Sequence, residues 1–472
     1  MRSVLVALAV VACLGACTGS PPRAGEPAGP RYISVGRDAL DAVLAAVERR
    51  GAVLDIRDLD ADVVVLALDP RDLGPLAEEM HALHDRCGGF MVHDTYAEAR
   101  AAIPVHTDPL HADPTHGALA RPALDYTIDR SAAVGAVLPG LDAGRIRDTI
   151  RELSAMQNRY YQSPTGAAAS EWLRDRWRSL TSRPDVTVDL VDHGYAQKSV
   201  VMTIPGSARP DEVIVIGGHL DSIAIGGGSS TAPGADDDAS GIATITEMAR
   251  ALLARDYRPE RTIQIMAYAA EEVGLRGSQL IARDYQRRGV RVVGALQLDM
   301  TNYQGSEKDI WLMKDFTSAP QNAFLIKLID TYVGATWGLD ACGYACSDHA
   351  SWHRIGVPAS MPFEARSRDR NRAIHTRRDT LETSGGNAAH AVKFARLAAA
   401  YAIELGKGEL GGTGETARTA AAAPRPRSVI AAADAPGEPG RPGSAGSGGA
   451  ALCMLLFVAA LWIGRGAASR AG

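Results

Sequence analysis

The stretch Val213-Ile-Val-Ile-Gly-Gly-His219-Leu-Asp221 decides how this chain is read. A short β-branched run closed by glycines reads as a strand buried on both faces, not as a helix, which needs ten or so residues and a polar side. Two further runs repeat the pattern: Thr262 to Ala267 leads into Tyr-Ala-Ala-Glu271-Glu272, and Val292 to Leu298 leads into Asp299-Met-Thr-Asn302. Strands of this kind belong to parallel sheets covered by helices, where ligands gather at the carboxyl ends. The endings His219, Glu271, Glu272 and Asp299 are therefore expected to converge. Between the first two runs, Ala232-Pro-Gly-Ala-Asp236-Asp237-Asp238-Ala-Ser240-Gly241 opens a segment with Ile242, Ile245, Met248, Ala249 and Leu252 on one helical face. That carries an acidic cluster to a helix start.

Imidazole and carboxylate are the ligands that zinc takes, and two ions about 3.5–4 Å apart need a shared ligand. His219, Asp237, Glu272 and Asp299 supply such a set, with His375 in Ile374-His375-Thr-Arg-Arg-Asp379 as a fifth member. Adjacent residues such as Glu271 and Glu272 cannot face one ion alike, so one can ligate while its neighbour moves protons. His349 and His353 share a helix face but lack the glutamate of a His-Glu-x-x-His site, and they read as structural. No Gly-x-Ser-x-Gly elbow is present.

The chain has 472 residues, 46% of them apolar, ample for a sizeable core. A formal charge of −5 with no basic patch excludes nucleic acid as the expected partner. Met1-Arg2 and the apolar run Val4 to Leu14 read as a signal peptide within residues 1–20. Leu14-Gly-Ala-Cys17 has the form of a lipobox, which would lipidate Cys17; ordinary cleavage without lipid is the other reading. After a Pro/Gly-rich spacer, Arg31 to Ala102 reads as a small α+β module. Its strands are expected at Tyr32 to Val35 and Val63 to Ala67, its helices at Asp38 to Arg50 and Leu73 to Cys87. Residues 103–121, with His106, His111 and His116 in a Pro-rich setting, read as a cleavable linker and not as a metal site.

The main domain is expected over residues 122–407. Helices are placed at Asp142 to Tyr161, Ala167 to Leu180, Asn322 to Tyr332 and His390 to Leu405, with a strand pair at Val186 to Asp192 and Lys198 to Ile204. The implied fold is α/β, a mixed, mostly parallel sheet sandwiched by helices. Residues 408–447 read as a low-complexity linker. Residues 448–472 hold Gly-Gly, a short apolar span and arginines, and read either as a C-terminal sorting signal removed by a processing protease or as a membrane anchor. Of six cysteines, Cys13 and Cys17 lie in the leader, Cys453 in the tail and Cys87 in the module. Cys342 and Cys346 are left as a pair, either bridged so as to shape the turn around Tyr344 or reduced and packed.

Gly217-Gly-His219-Leu-Asp221-Ser, Ala232-Pro-Gly-Ala-Asp-Asp237-Asp-Ala-Ser-Gly241, Ala267-Tyr-Ala-Ala-Glu271-Glu272-Val-Gly-Leu-Arg-Gly-Ser278, Leu296-Gln-Leu-Asp299-Met-Thr-Asn302, Cys342-Gly-Tyr344-Ala-Cys346 and Ile374-His375-Thr together resemble the secreted bacterial leucyl aminopeptidases of the di-zinc metallo-aminopeptidase family. The resemblance spans the main domain and implies its zinc exopeptidase fold with two Zn²⁺. It extends to the module, where Arg86-Cys-Gly-Gly-Phe-Met-Val-His93 is similar to those enzymes' propeptide. It implies that Asp237 bridges the ions, that His219 and Asp299 hold one, and that Glu272 and His375 hold the other. Asp221 would orient His219, and a cis peptide is implied between Asp237 and Asp238. Glu271 would be the general base for the attacking water and Tyr344 would stabilise the oxyanion.

The family's apolar side-chain pocket is implied at Met300, Met361, Phe363 and Ile374, but Ser367 and Arg370 stand where relatives usually place aromatics. A wider pocket, tolerant of polar or acidic first residues, is expected. The expected product is an exported monomer, secreted or held at the cell surface, that releases N-terminal residues from peptide substrates after its export and processing proteases have acted. A zinc carboxypeptidase, a single-zinc glutaminyl cyclase and a non-catalytic surface binding module are the competing readings.

Overall fold

The computed structural model describes residues 29–411, apart from positions 50, 52–54, 60–62, 85, 87 and 102–123. The leader with Cys17, Cys87, the linker histidines, positions 412–447 of the C-terminal linker and the apolar run lie outside the described residues, whereas the expected start of that linker is structured, Glu409–Leu410 pairing antiparallel with Tyr257–Arg258. Among the described residues no helix is long and apolar enough to cross a membrane.

The main domain is built on a six-stranded sheet in the order Ala359–Ser360, Arg291–Gln297, Arg209–His219, Arg261–Tyr268, Ser199–Ile204, Thr187–Val191. The first four strands are parallel, Ser199–Ile204 runs against them, and Thr187–Val191 pairs antiparallel with Ser199–Ile204 at the edge. This is the mixed, mostly parallel sheet expected from the three buried runs. Side chains of a strand alternate between faces, so each run feeds two cores. Ile214 and Ile216 enter the core beneath the helices Ala143–Ser154, Ala239–Ala254 and Ala391–Gly406, whereas Val213 and Val215 pack on the opposite face with Met266, Tyr285 and Trp352.

Asp142 caps the helix Ala143–Ser154 by accepting the Arg145 N–H at 2.9 Å. That helix stops seven residues short of the expected Tyr161, because the residues after it are used otherwise. Asn158 donates to the carbonyls of Gly228 and Ser230 at 3.0 and 2.9 Å. The fully buried Arg159 donates to the carbonyls of Leu220 and Gly234 at 2.8 Å each. A continued helix would turn both side chains away from those carbonyls.

The N-terminal segment forms a four-stranded antiparallel sheet, Asp55–Leu59, Val63–Leu68, Arg31–Gly36, Phe90–His93, backed by the helices Leu40–Glu48 and Leu73–His84. Two of these strands were not expected: Asp55–Leu59 is almost wholly exposed, and Phe90–His93 is only four residues long. The segment packs on the main domain through one shared apolar cluster, in which Met80, Phe90 and Val92 meet Tyr161, Tyr195, Ala270 and Val273. The Val92 N–H also donates to the Gly274 carbonyl at 3.3 Å.

Candidate metal centre and active site

The parallel strands are in register at their carboxyl ends, with Gly217 paired to Gln297 on one side and to Met266 on the other. His219 is opposite Tyr268, so Glu271 and Glu272 follow at the same level as Asp299 from the third strand. The acidic loop closes on them through Asp238. Its Oδ1 accepts the Gly241 N–H at 2.8 Å and the Met300 N–H at 3.1 Å, and its Oδ2 accepts the His219 N–H at 2.9 Å. One carboxylate thus caps the helix Ala239–Ala254 and ties it to two strand ends. A side chain at Gly241 would put Cβ 2.1 Å from the Leu298 carbonyl, so only glycine lets the helix start approach so closely.

Asp237 lies between two imidazoles. Its Oδ1 is 2.9 Å from His219 Nε2 and its Oδ2 is 3.2 Å from His375 Nε2. Asp299 Oδ1 is 3.5 Å from His219 Nε2, and Glu272 Oε2 is 2.7 Å from His375 Nε2. His219, Asp237 and Glu272 offer ligand atoms within 4.8 Å of one another, as do His219, Asp238 and Asp299. In the second group Asp238 is already committed to three backbone N–H groups. The peptide between Asp237 and Asp238 is cis.

The donor set fits metal cations. Both oxygens of Glu271 are buried and no hydrogen bond reaches them, while the buried carboxylates of Glu272 and Asp299 face the His375 and His219 rings. Leaving carboxylates so is costly unless a positive charge compensates. Burial raises the Glu271 carboxyl well above its ordinary range and brings Glu272 to about 7. Burial pulls the other way on His219, yet Asp299 and Glu271 raise it well above the usual imidazole value. A protein-only site would hold protons where bound cations would displace them.

Asp221 holds this cluster from behind. It accepts the Glu271 N–H with Oδ1 at 3.0 Å and the Glu272 N–H with Oδ2 at 3.1 Å, and Oδ1 is 3.5 Å from His219 Nδ1. Asp379 does the same for the acidic loop, taking the Asp236 and Asp237 N–H groups at 3.1 Å each. Ala270 and Met300, which flank candidate ligands, and His375, itself a candidate ligand, have φ of +57°, +54° and +55°. Left-handed backbone at non-glycine residues costs roughly 1–3 kcal/mol apiece and persists only where its surroundings enforce it.

Met300, Met361, Phe363 and Ile374 meet in one buried cluster with Trp311, Met313 and Cys346, and with Cys342 and Tyr344 at its edge. Cys342 and Cys346 are bridged. Ser367 lines a cavity of about 400 Å³ with Asp340, Ala341, Arg366 and Arg368, and the Arg370 guanidinium donates to the Ser367 carbonyl at 2.6 Å. Tyr344 lies under the Arg86 guanidinium, 5.0 Å from its ring centre. His349 shares a hydrogen bond with the Asp315 carbonyl at 3.1 Å, and His353 packs edge-on against Phe316. Sequence reading missed Arg159, Asp379 and the capping role of Asp238. A buried arginine and a backbone-binding aspartate look like surface residues until the loops they hold are seen.

Residues 199–401 match the model of peptidase family M28. Leucine aminopeptidase 1 of Uncinocarpus reesii is 36% identical over 286 residues, covering 57% of this chain and 71% of that protein. Leucine aminopeptidase 1 of Ajellomyces capsulatus is 30% identical over 398 residues, covering 81% of this chain and 99% of its own length. Among solved structures, the LapA aminopeptidase of Legionella pneumophila superposes with a TM-score of 0.66 at 28% identity, covering 81% of this chain and 99% of that one. LapB of the same organism gives 0.66 at 29%, covering 80% and 99%. The shares of 80–81% exceed what residues 124–411 alone supply, so for these three relatives the likeness reaches into the N-terminal segment. Fungal as well as bacterial proteins are among the relatives.

Proposed function

Because the chain belongs to peptidase family M28, we propose that it is a di-zinc aminopeptidase that releases leucine-type N-terminal residues from peptides. The observation that carries this reading is Glu271. It is fully buried, has no hydrogen-bond donor, and follows the same strand that delivers Glu272 to His375. His219 and Asp299 would hold one ion, Glu272 and His375 the other, and Asp237 would serve both. Bound zinc supplies a Lewis acid for the carbonyl and lowers the pKa of water toward 7.

This chain's own residues do the rest. Glu271 accepts the proton of the attacking water on its carboxylate and returns it to the leaving amine. Asp221 fixes Glu271 through the backbone, so the base does not swing away between the two transfers. Tyr344, on the turn closed by Cys342 and Cys346, donates to the oxyanion once Arg86 is gone from its face. The apolar cluster around Met300, Met361, Phe363 and Ile374 receives the first side chain. Ser367 and Arg370 widen that preference toward polar and acidic residues.

We further propose that residues 31–102 restrain the enzyme until the chain is cut within 103–121, and that the product acts outside the cell as a monomer. Hydrolysis by purified, trimmed protein tests the activity: a peptide with a free N-terminal leucine should be cut, and its N-acetylated twin should not. Equal turnover of the two overturns the exopeptidase reading.

A further inference from the structure

The helix Leu73–His84 of the N-terminal segment runs over the mouth of the site. Glu78 Oε1 accepts the Gly226 N–H at 2.9 Å, and one turn later His81 lies against His375 with ring centres 4.5 Å apart. His81 Nδ1 is shielded from solvent, and Asp237 and Arg370 lie within electrostatic reach of the ring. Behind it the chain follows the same surface. A Cβ on Gly88 would be 3.7 and 3.8 Å from the carbonyls of Glu271 and Glu272, which places this backbone directly on the loop that carries the base. His84, on the same helix, faces away and pairs with Asp41 at 2.6 Å.

The ring spacing is informative. Two imidazoles on one tetrahedral zinc, with Zn–N bonds of about 2.0–2.1 Å, keep their ring centres roughly 5 Å apart. His81 and His375 are already close to that distance.

We propose that in the uncut chain His81 is an additional ligand of the metal centre, closing the substrate side of the set formed by His219, Asp237, Glu272, Asp299 and His375. The inference rests on the metal-centre reading above and goes beyond it: the segment restrains the site by coordination as well as by covering it. Removal of the segment then frees a coordination position at the same moment that it opens the path for a peptide N-terminus.

Cobalt loaded into the full uncut chain tests this, read by visible absorption and by the rate of loss to a chelator. Wild type and His84→Ala should share one spectrum. His81→Ala should shift that spectrum and lose cobalt at least about tenfold faster, as expected when a ligand is removed. Faster loss alone could come from a loosened segment, so His81→Phe is the deciding variant. It keeps an aromatic ring against His375 but carries no nitrogen, and its spectrum should match that of His81→Ala. A wild-type spectrum in both His81 variants overturns the proposal while leaving the metal centre intact. Failure of wild type to bind cobalt at all overturns the metal-centre reading and this one with it.

Discussion

Asp221 Oδ1 accepts the backbone N–H of Glu271 at 3.0 Å, so the residue that stands behind His219 also positions the proposed base. Its other oxygen does the same for Glu272. Asp221→Ala would leave two buried N–H groups without acceptors, a loss of roughly 1–3 kcal/mol each. Metal affinity is expected to fall about 10–100-fold, as for other residues that orient ligands. Thermal unfolding, chelator competition and kcat on one preparation check this. Unchanged metal affinity with a normal rate would remove Asp221 from the account.

How much of this was legible in the sequence follows from what each residue touches. The strand endings could be read because parallel strands in register must bring their carboxyl ends together, and the β-branched runs Val213–Ile216 and Thr262–Ala267 announce such strands. Helix ends were read less well. Periodicity continues past Ser154, but Asn158 and Arg159 leave the helix to hold carbonyls whose loops lie some seventy residues away in sequence. Strands such as Asp55–Leu59 were invisible for the opposite reason, having almost no buried face to pattern. Ser367 and Arg370 were assigned to the pocket by resemblance alone, and the contact between the Arg370 guanidinium and the Ser367 carbonyl is set by the loop that carries both.

Acid should loosen the N-terminal segment. His93 is buried, within 2.9 Å of Ser34 Oγ, and burial, helped by Arg354 and Arg283, pushes its pKa down to about 2. An unfolded histidine titrates near 6.5. Between those values the unfolded segment binds a proton that the folded one excludes. Stability is therefore full above about pH 6.5 and falls by up to ~1.4 kcal/mol per pH unit below it. Proteolysis of the segment at pH 7 and pH 5 should accelerate in wild type, by an amount equivalent to about 2 kcal/mol. In His93→Gln the dependence should flatten, and equal slopes in the two proteins would contradict this assignment.

The uncut chain should be the less active form. A covering segment tethered to its own site acts at an effective concentration of order mM, so activity is expected to rise at least about tenfold on cleavage between Ala102 and Ala123. Assays before and after limited proteolysis, with cleavage mapped by mass, give the answer. A precursor as fast as the trimmed protein would rule out restraint.

Specificity should be broader than leucine alone. Burying one aromatic edge against a substrate side chain contributes roughly 1.5–3 kcal/mol, about ten- to a hundred-fold in selectivity. With Ser367 and Arg370 in place of aromatics, kcat/KM for N-terminal Gln and Glu is expected to approach that for Leu and Phe. Ser367→Phe with Arg370→Tyr should restore a strong apolar preference. An unchanged ranking in the double variant means these two positions do not shape the pocket.

The most direct test of the central claim is Glu271→Ala in the trimmed, zinc-loaded protein. The variant removes a carboxylate that no hydrogen bond reaches, so fold and metal content should be retained. The rate with a free N-terminal leucine substrate should drop roughly 10²–10⁴-fold, the range expected for loss of a general base, with little change in KM. A variant that keeps its full rate would contradict the account, because the proton would then be moving by a route that does not pass through Glu271.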